Sequence, residues 1–237
     1  DPITAQVPFN GSDGLAMADL DLDGHIDIVS VHESDSGYDS AEYDAEFKVP
    51  LDGHVRIAYA TADPDAWQNI TLAEGSEVAA PEDVAIGDVN GDGFPDVLIA
   101  AELGHIIYLQ NPGKAARGTT WRRLILPMTK NEGSYLRVFF ADLNNDGQIE
   151  ATAANKGAQR PGPRDYAKST PVSILQVEGD PLDPEGWRQT VLGRYSIPQN
   201  AEPIDLDQDG DEDIIVGSRG EQRIAWFENV SERGRLA

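Results

Sequence analysis

The stretch DLDLDGHIDIV, Asp19 to Val29, sets acids at every second position ahead of a glycine and adds a fourth at Asp27. Four carboxylates so close together repel one another unless a cation or solvent offsets them. The same spacing returns three times: DVNGDGFPDVLI from Asp88, DLNNDGQIEATA from Asp142 and DLDQDGDEDIIV from Asp205. Aligned, all four have Asp at position 1, Asp or Asn at 3, Asp at 5, Gly at 6 and an acid at 9. A spacing that recurs four times is far more specific than any single copy.

Coordination chemistry explains the pattern. A hard cation such as calcium takes six to eight oxygens from carboxylates, amide carbonyls, backbone carbonyls and water. Residues 1, 3 and 5 can turn their oxygens inward only if the chain curls around the ion, and the glycine at 6 gives the backbone freedom for that curl. Position 7 then contributes a backbone carbonyl, which leaves its side chain free to vary, and the acid at 9 closes the shell. The ligand sets read in this way are Asp19, Asp21, Asp23, His25 and Asp27; Asp88, Asn90, Asp92, Phe94 and Asp96; Asp142, Asn144, Asp146, Gln148 and Glu150; and Asp205, Asp207, Asp209, Asp211 and Asp213. They call for up to four calcium ions. An EF-hand loop begins alike but needs a bidentate Glu at position 12 and flanking helices. Position 12 here is Ser30, Ile99, Ala153 or Val216, and the residues after each loop are short, apolar and rich in β-branched types, as in buried strands. The EF-hand reading fails.

The loops start at 19, 88, 142 and 205, a spacing of 54 to 69 residues, which belongs to propellers or solenoids. Within each unit one apolar strand leads into the loop and a buried strand leaves it. A further strand follows (HVRIAYA, HIIYLQN, VSILQVE, RIAWFEN), and in three units a last one begins at Trp67, Trp121 or Trp187. These tryptophans read as blade packing. The sequence therefore predicts an all-β fold, a β-propeller of four-stranded antiparallel blades within a single domain over residues 1–237. The blades fall at about 14–72, 83–126, 136–192 and 201–237, forming a closed four-bladed ring or part of a larger one. The fourth unit lacks a final strand, and residues 1–10, with ITAQVPFN at 3–10, are the expected closing strand.

The Asp-rich loops resemble those of FG-GAP or VCBS repeats, the calcium-binding propeller blades of integrin α-subunits and many secreted bacterial proteins. The resemblance covers nearly the whole chain, although the Phe-Gly and Gly-Ala-Pro signatures that name the family are absent. It implies calcium sites between the first and second strands of each blade. Glu150, one methylene longer than the usual Asp, marks the third site as the weaker one. The resemblance also implies that some carbohydrate lyases and sugar dehydratases share the blade type.

Composition narrows the partners. Eighteen Lys and Arg against 42 Asp and Glu give a net charge of −24, without the basic footprint that nucleic acid requires. Positions 1, 3, 5 and 9 of the loops hold fourteen of those carboxylates, and four divalent ions would still leave the chain acidic. There is no Cys, and no apolar run is long enough to insert in a membrane. The chain begins at Asp1 without Met, the pattern of a processed secreted or cell-surface protein or of a piece of a longer chain.

If the calcium loops share one face of the propeller, the irregular sequence lies on the other. That face carries an acidic insertion from His32 to Gly53 and a locally basic one from Asn155 to Thr170. Long loops in a compact repeat carry function more often than the strands they join. His32, Tyr135, Arg137, Arg194 and Tyr195 are the ligand-binding residues expected there, with a glycan or an extracellular protein as partner. The sequence favours a calcium-stabilised binding or scaffold module. The alternative is a carbohydrate-active enzyme, in which His32, Tyr135 or Tyr195 acts as base beside Arg137 or Arg194; no motif in the chain assigns catalytic residues.

Overall fold

The structure, a computed structural model, describes residues 12–33 and 53–230. The closing strand expected at residues 3–10 and most of the acidic insertion lie outside them. Fifteen strands form four antiparallel sheets, joined by turns and three short 3-10 turns, with no α-helix among the described residues. The first sheet is β1 (Gly14–Ala18), β2 (Asp27–Glu33), β3 (Gly53–Tyr59) and β4 (Gln68–Glu74). The second is β5 (Pro81–Gly87), β6 (Asp96–Ala101), β7 (Ile106–Gln110) and β8 (Arg122–Ile125). The third is β9 (Tyr135–Ala141), β10 (Glu150–Asn155), β11 (Thr170–Val177) and β12 (Trp187–Tyr195). The fourth contains β13 (Pro198–Ile204), β14 (Asp213–Ser218) and β15 (Arg223–Phe227). In every sheet, strands adjacent in sequence are neighbours in space, as in the blade of a propeller.

Strand alternation explains why the second strands are apolar throughout. Side chains along a strand point to opposite faces in turn. In β6, Val97 and Ile99 pack toward the first sheet, whereas Leu98 and Ala100 pack toward the third. Both faces of this blade are buried, so no polar alternation survives in DVLIAA. Three cores join consecutive sheets. Val29, Val31, Ile57, Ile99 and Trp121 lie between the first and second, and Leu98, Tyr108, Val138, Leu175 and Trp187 between the second and third. Val172, Ile174, Tyr195, Ile214 and Val216 lie between the third and fourth. Trp121 and Trp187 are thus inter-blade packing, whereas Trp67 is half-buried and donates its indole N–H to the Pro64 carbonyl at 2.9 Å.

The innermost strands β1, β5, β9 and β13 pack side by side in that order. A Cβ on Gly14 would come within 2.6 Å of the Glu82 carbonyl oxygen, so this close approach of β1 to β5 requires glycine. Among the described residues, no core cluster joins the fourth sheet to the first. The outer faces of those two sheets carry apolar side chains in solvent: Leu15 is 55% exposed, Met17 62%, Ile224 77% and Trp226 46%. The described residues thus form an arc of blades whose two end faces carry exposed apolar side chains.

Candidate metal loops and the opposite face

Each Asp-rich loop joins the first strand of its blade to the second, which places all four on the same edge of the arc. The four have one backbone conformation. The position-1 carboxylate accepts the N–H groups of positions 5 and 6: Asp19 from Asp23 and Gly24 at 3.0 and 2.9 Å, Asp88 from Asp92 and Gly93 at 3.1 and 2.8 Å. Asp142 does so for Asp146 and Gly147, and Asp205 for Asp209 and Gly210. The position-5 Asp accepts the N–H of position 7, at 2.8 to 3.0 Å in every loop. Closing so tight a curl takes the glycine at position 6 to φ between 90° and 99°, in the left-handed region that glycine tolerates.

Position 9 has a further role that was not apparent from its spacing. Asp27, Asp96, Glu150 and Asp213 are all fully buried. Each accepts the N–H of position 2 of its own loop, from Leu20, Val89, Leu143 and Leu206. In three blades the acid also takes an N–H from the end of the third strand: Ala60 to Asp27, Asn111 to Asp96 and Asn229 to Asp213. Glu150 instead accepts from the Asn144 side-chain amide at 3.0 Å. The acid is therefore a bracket within the blade as well as a prospective ligand. Burial pushes Asp27 above its usual range, Asp96 up to about 6 and Glu150 up to about 7, with the backbone N–H bonds opposing the rise. Asp146 and Asp142 add repulsion at Glu150.

The first and fourth loops gather acidic oxygens that could hold a divalent cation. Carboxylate oxygens of Asp19, Asp21 and Asp27 lie within 4.8 Å of one another, as do those of Asp205, Asp207 and Asp209. Asp21 Oδ1 is buried without a hydrogen-bond partner. Two unit charges 4 Å apart repel by about 4 kcal/mol at an effective dielectric near 20, so such a cluster binds a cation or a proton readily.

Two asparagines that the motif reading did not single out link the loops to one another. The Asn111 side-chain amide, at the end of β7, donates to the Leu20 carbonyl of the first loop at 2.8 Å and to the Pro95 carbonyl of its own at 2.9 Å. Asn229 repeats this with Leu143 of the third loop and Glu212 of its own. The signal was in the sequence, since QN and EN end the third strand of the second and fourth blades, but it becomes legible only once the neighbouring blade is in place.

On the opposite edge the expected ligand residues are dispersed. Tyr135 and Tyr195 are buried, the first beside Asn155 and the second edge-on to Phe227, so their rings belong to the inter-blade cores and offer no exposed face. His32 is also buried, its Nε2 2.9 Å from Ser30 Oγ. Arg137 is exposed and reaches across to the second blade, 3.8 Å from Asp83. Arg194 is exposed and makes no ion pair among the described residues. Lys156, expected in a solvated basic loop, is instead buried against Glu102, and this pair ties the ends of β6 and β10 together. Beside it, burial pushes the Glu82 carboxyl up to about 7, with Glu102 and Asp13 reinforcing the shift and Lys156 and Arg137 opposing it.

Four-stranded blades with an Asp-rich loop between their first and second strands define a protein of the propeller class. Residues 88–151, from the Asp-rich loop of the second blade through that of the third, match the FG-GAP-like repeat family. The same loop geometry recurs in the first and fourth blades, so the chain repeats one blade unit with an Asp-rich loop. No curated protein sequence matches the chain. Among the described residues, no helix is long and apolar enough to cross a membrane.

Proposed function

We propose that this chain is a secreted or cell-surface, calcium-stabilised propeller module that binds a glycan or an extracellular protein through the face opposite its Asp-rich loops. The observation that carries the calcium part is the common backbone geometry of the four loops, two of which bring three carboxylates within 4.8 Å of one another, with an orphaned buried oxygen at Asp21. In each loop the side chains at positions 1, 3, 5 and 9 and the carbonyl at 7 would hold the ion. When bound, calcium supplies the positive charge that the crowded carboxylates lack. Extracellular calcium modules bind in the range of roughly 0.1 to 1 mM. At a concentration 100 times its dissociation constant, a ligand bound only by the folded state stabilises it by about 2.7 kcal/mol. Even sites close to half saturation, four together, would matter against a net stability of about 5–15 kcal/mol. The deciding experiment is a melting curve in chelator against one in millimolar calcium. Calcium should raise Tm markedly, and magnesium, which demands a tighter octahedral shell, should substitute poorly. Coincident curves would reduce the loops to acidic turns.

A second reading, a carbohydrate-active enzyme, draws its support from Glu82. A half-buried carboxyl that titrates near neutrality is suited to general acid or base work, and Arg137 lies close enough to act on its titration. Eliminative cleavage of a uronan, read as new ultraviolet absorbance and lost in Glu82→Gln, would place this reading first.

A further inference from the structure

The first loop differs from the other three in one respect. The Arg117 guanidinium, from the turn between β7 and β8 of the second blade, is seated on it. Arg117 Nε bonds to Asp21, one terminal nitrogen bonds to Asp23 at 2.5 Å, and the same nitrogen reaches the Ala60 carbonyl at 3.1 Å. Its charged carbon lies 5.0 Å from the centre of the Tyr59 ring, a cation–π arrangement. Among the described residues, no Lys or Arg forms an ion pair with the second, third or fourth loop.

The turn that presents Arg117 is held independently of it. Gly113–Ala115 forms a 3-10 turn, the Ala116 side chain is buried in the core between the first two sheets, and Trp121 donates to the Ala116 carbonyl at 3.3 Å. From the first blade, the Gln68 amide donates to the Arg117 carbonyl at 3.3 Å. The side chain is thus aimed at the first loop by its own backbone. It satisfies only half of Asp21: that side chain is 9% exposed, and while its Oδ2 bonds Arg117, its Oδ1 remains without a donor. Asp21 Oδ1 is left open, whereas Asp21 Oδ2 and Asp23 Oδ2 are both held by Arg117.

We propose that Arg117 is a built-in counter-cation for the first loop, which calcium must displace from Asp21 and Asp23 in order to bind. The inference rests on the calcium reading of the loops. Guanidinium and ion demand the same carboxylates, so the first site is the weakest of the four. Its filling exchanges an inter-blade ion pair for an intra-loop metal, and the contact between the first two blades thereby depends on calcium at a concentration where the other three sites are already full.

Calcium chloride titrated calorimetrically into wild type, Arg117→Gln and Arg117→Lys tests this, with parallel melts in chelator and in saturating calcium. Hydrogen bonds to charged groups are each worth about a factor of ten. With two such bonds to displace, one of them to the partly exposed Asp23, wild type should show one site weaker than the rest, tightened roughly ten- to a hundredfold in Arg117→Gln, with Arg117→Lys in between because it keeps the charge and loses the fork. Arg117→Gln should melt below wild type in chelator, and the gap should close in calcium. Calcium uptake unchanged or weakened by Arg117→Gln would overturn the proposal while leaving the calcium reading intact. An equal loss of Tm in both conditions would also overturn it, because Arg117 would then be a strut that never yields. Absence of uptake by wild type and both variants would overturn both.

Discussion

Asn111 and Leu20 are 91 positions apart in the chain, and the Asn111 amide donates to the Leu20 carbonyl at 2.8 Å across the boundary between the first two blades. The same amide holds Pro95, its backbone N–H holds Asp96, and its side-chain oxygen accepts from Gly113 at 2.9 Å. One buried residue therefore ties two Asp-rich loops and the turn that carries Arg117. Asn111→Ala leaves two carbonyls and an N–H in need of partners, at about 1–3 kcal/mol for each group that stays buried and unsatisfied. A melting curve should show the loss, at roughly 2–4 °C per kcal/mol for a chain of this size. Asn229→Ala should cost less, because Asn229 is only half-buried whereas Asn111 is buried.

Glu150 and Asp23 separate the two roles of the loop acids. Glu150 is buried and receives the Leu143 N–H and the Asn144 amide, whereas the Asp23 side chain is partly exposed. In chelator, Glu150→Ala should lower Tm more than Asp23→Ala, because it orphans buried donors even without an ion. The longer side chain at this position is also a structural anchor in the fold. Equal losses would show that the position-9 acid matters only as a ligand.

Glu82 provides a pH dependence away from the loops. Its folded value of about 7 lies above the ordinary 4.5, so the native state binds the proton more tightly than the unfolded chain does. Stability from this group is therefore greatest below about pH 4.5, declines as pH rises toward 7, and stays reduced above it. Glu82→Gln, melted in saturating calcium, should exceed wild type at pH 8 and converge with it near pH 4.5. A constant offset across that range would assign the effect to packing.

Arg194 and Arg137 test the ligand face. Arg194 is exposed and free of ion pairs among the described residues, so Arg194→Ala should leave Tm unchanged and weaken retention on a uronate-bearing glycan matrix if that face binds acidic sugars. Arg137→Ala should also lose a little stability, since it interacts with Asp83 across the blades. Surface pairs of this kind contribute about 0–1 kcal/mol. Retention unaffected by either variant would remove the glycan from this face and leave a protein partner.

The architecture was legible in the sequence because its determinants are local. Hydrogen bonds inside each Asp-rich loop span two to seven residues, and the strands around the loop are set by alternation and β-branched composition. Local spacing therefore determined the four loops, the antiparallel blades and the place of the tryptophans that start the last strands. What only the tertiary structure decided depends on neighbours far away in the chain. Tyr135 and Tyr195 read as ligand platforms beside glycines and arginines, but blade packing turns their rings inward. Lys156 reads as part of a basic loop, yet it meets Glu102 from 54 positions earlier. Arg117 carries no motif at all and finds Asp21 from 96 positions away. A strand or tight loop is stabilised by bonds within a few residues of itself, so its pattern is written along the chain. The packing of one blade on the next is stabilised by apolar faces that accept many partners, and only the folded arc selects which polar groups come together between them.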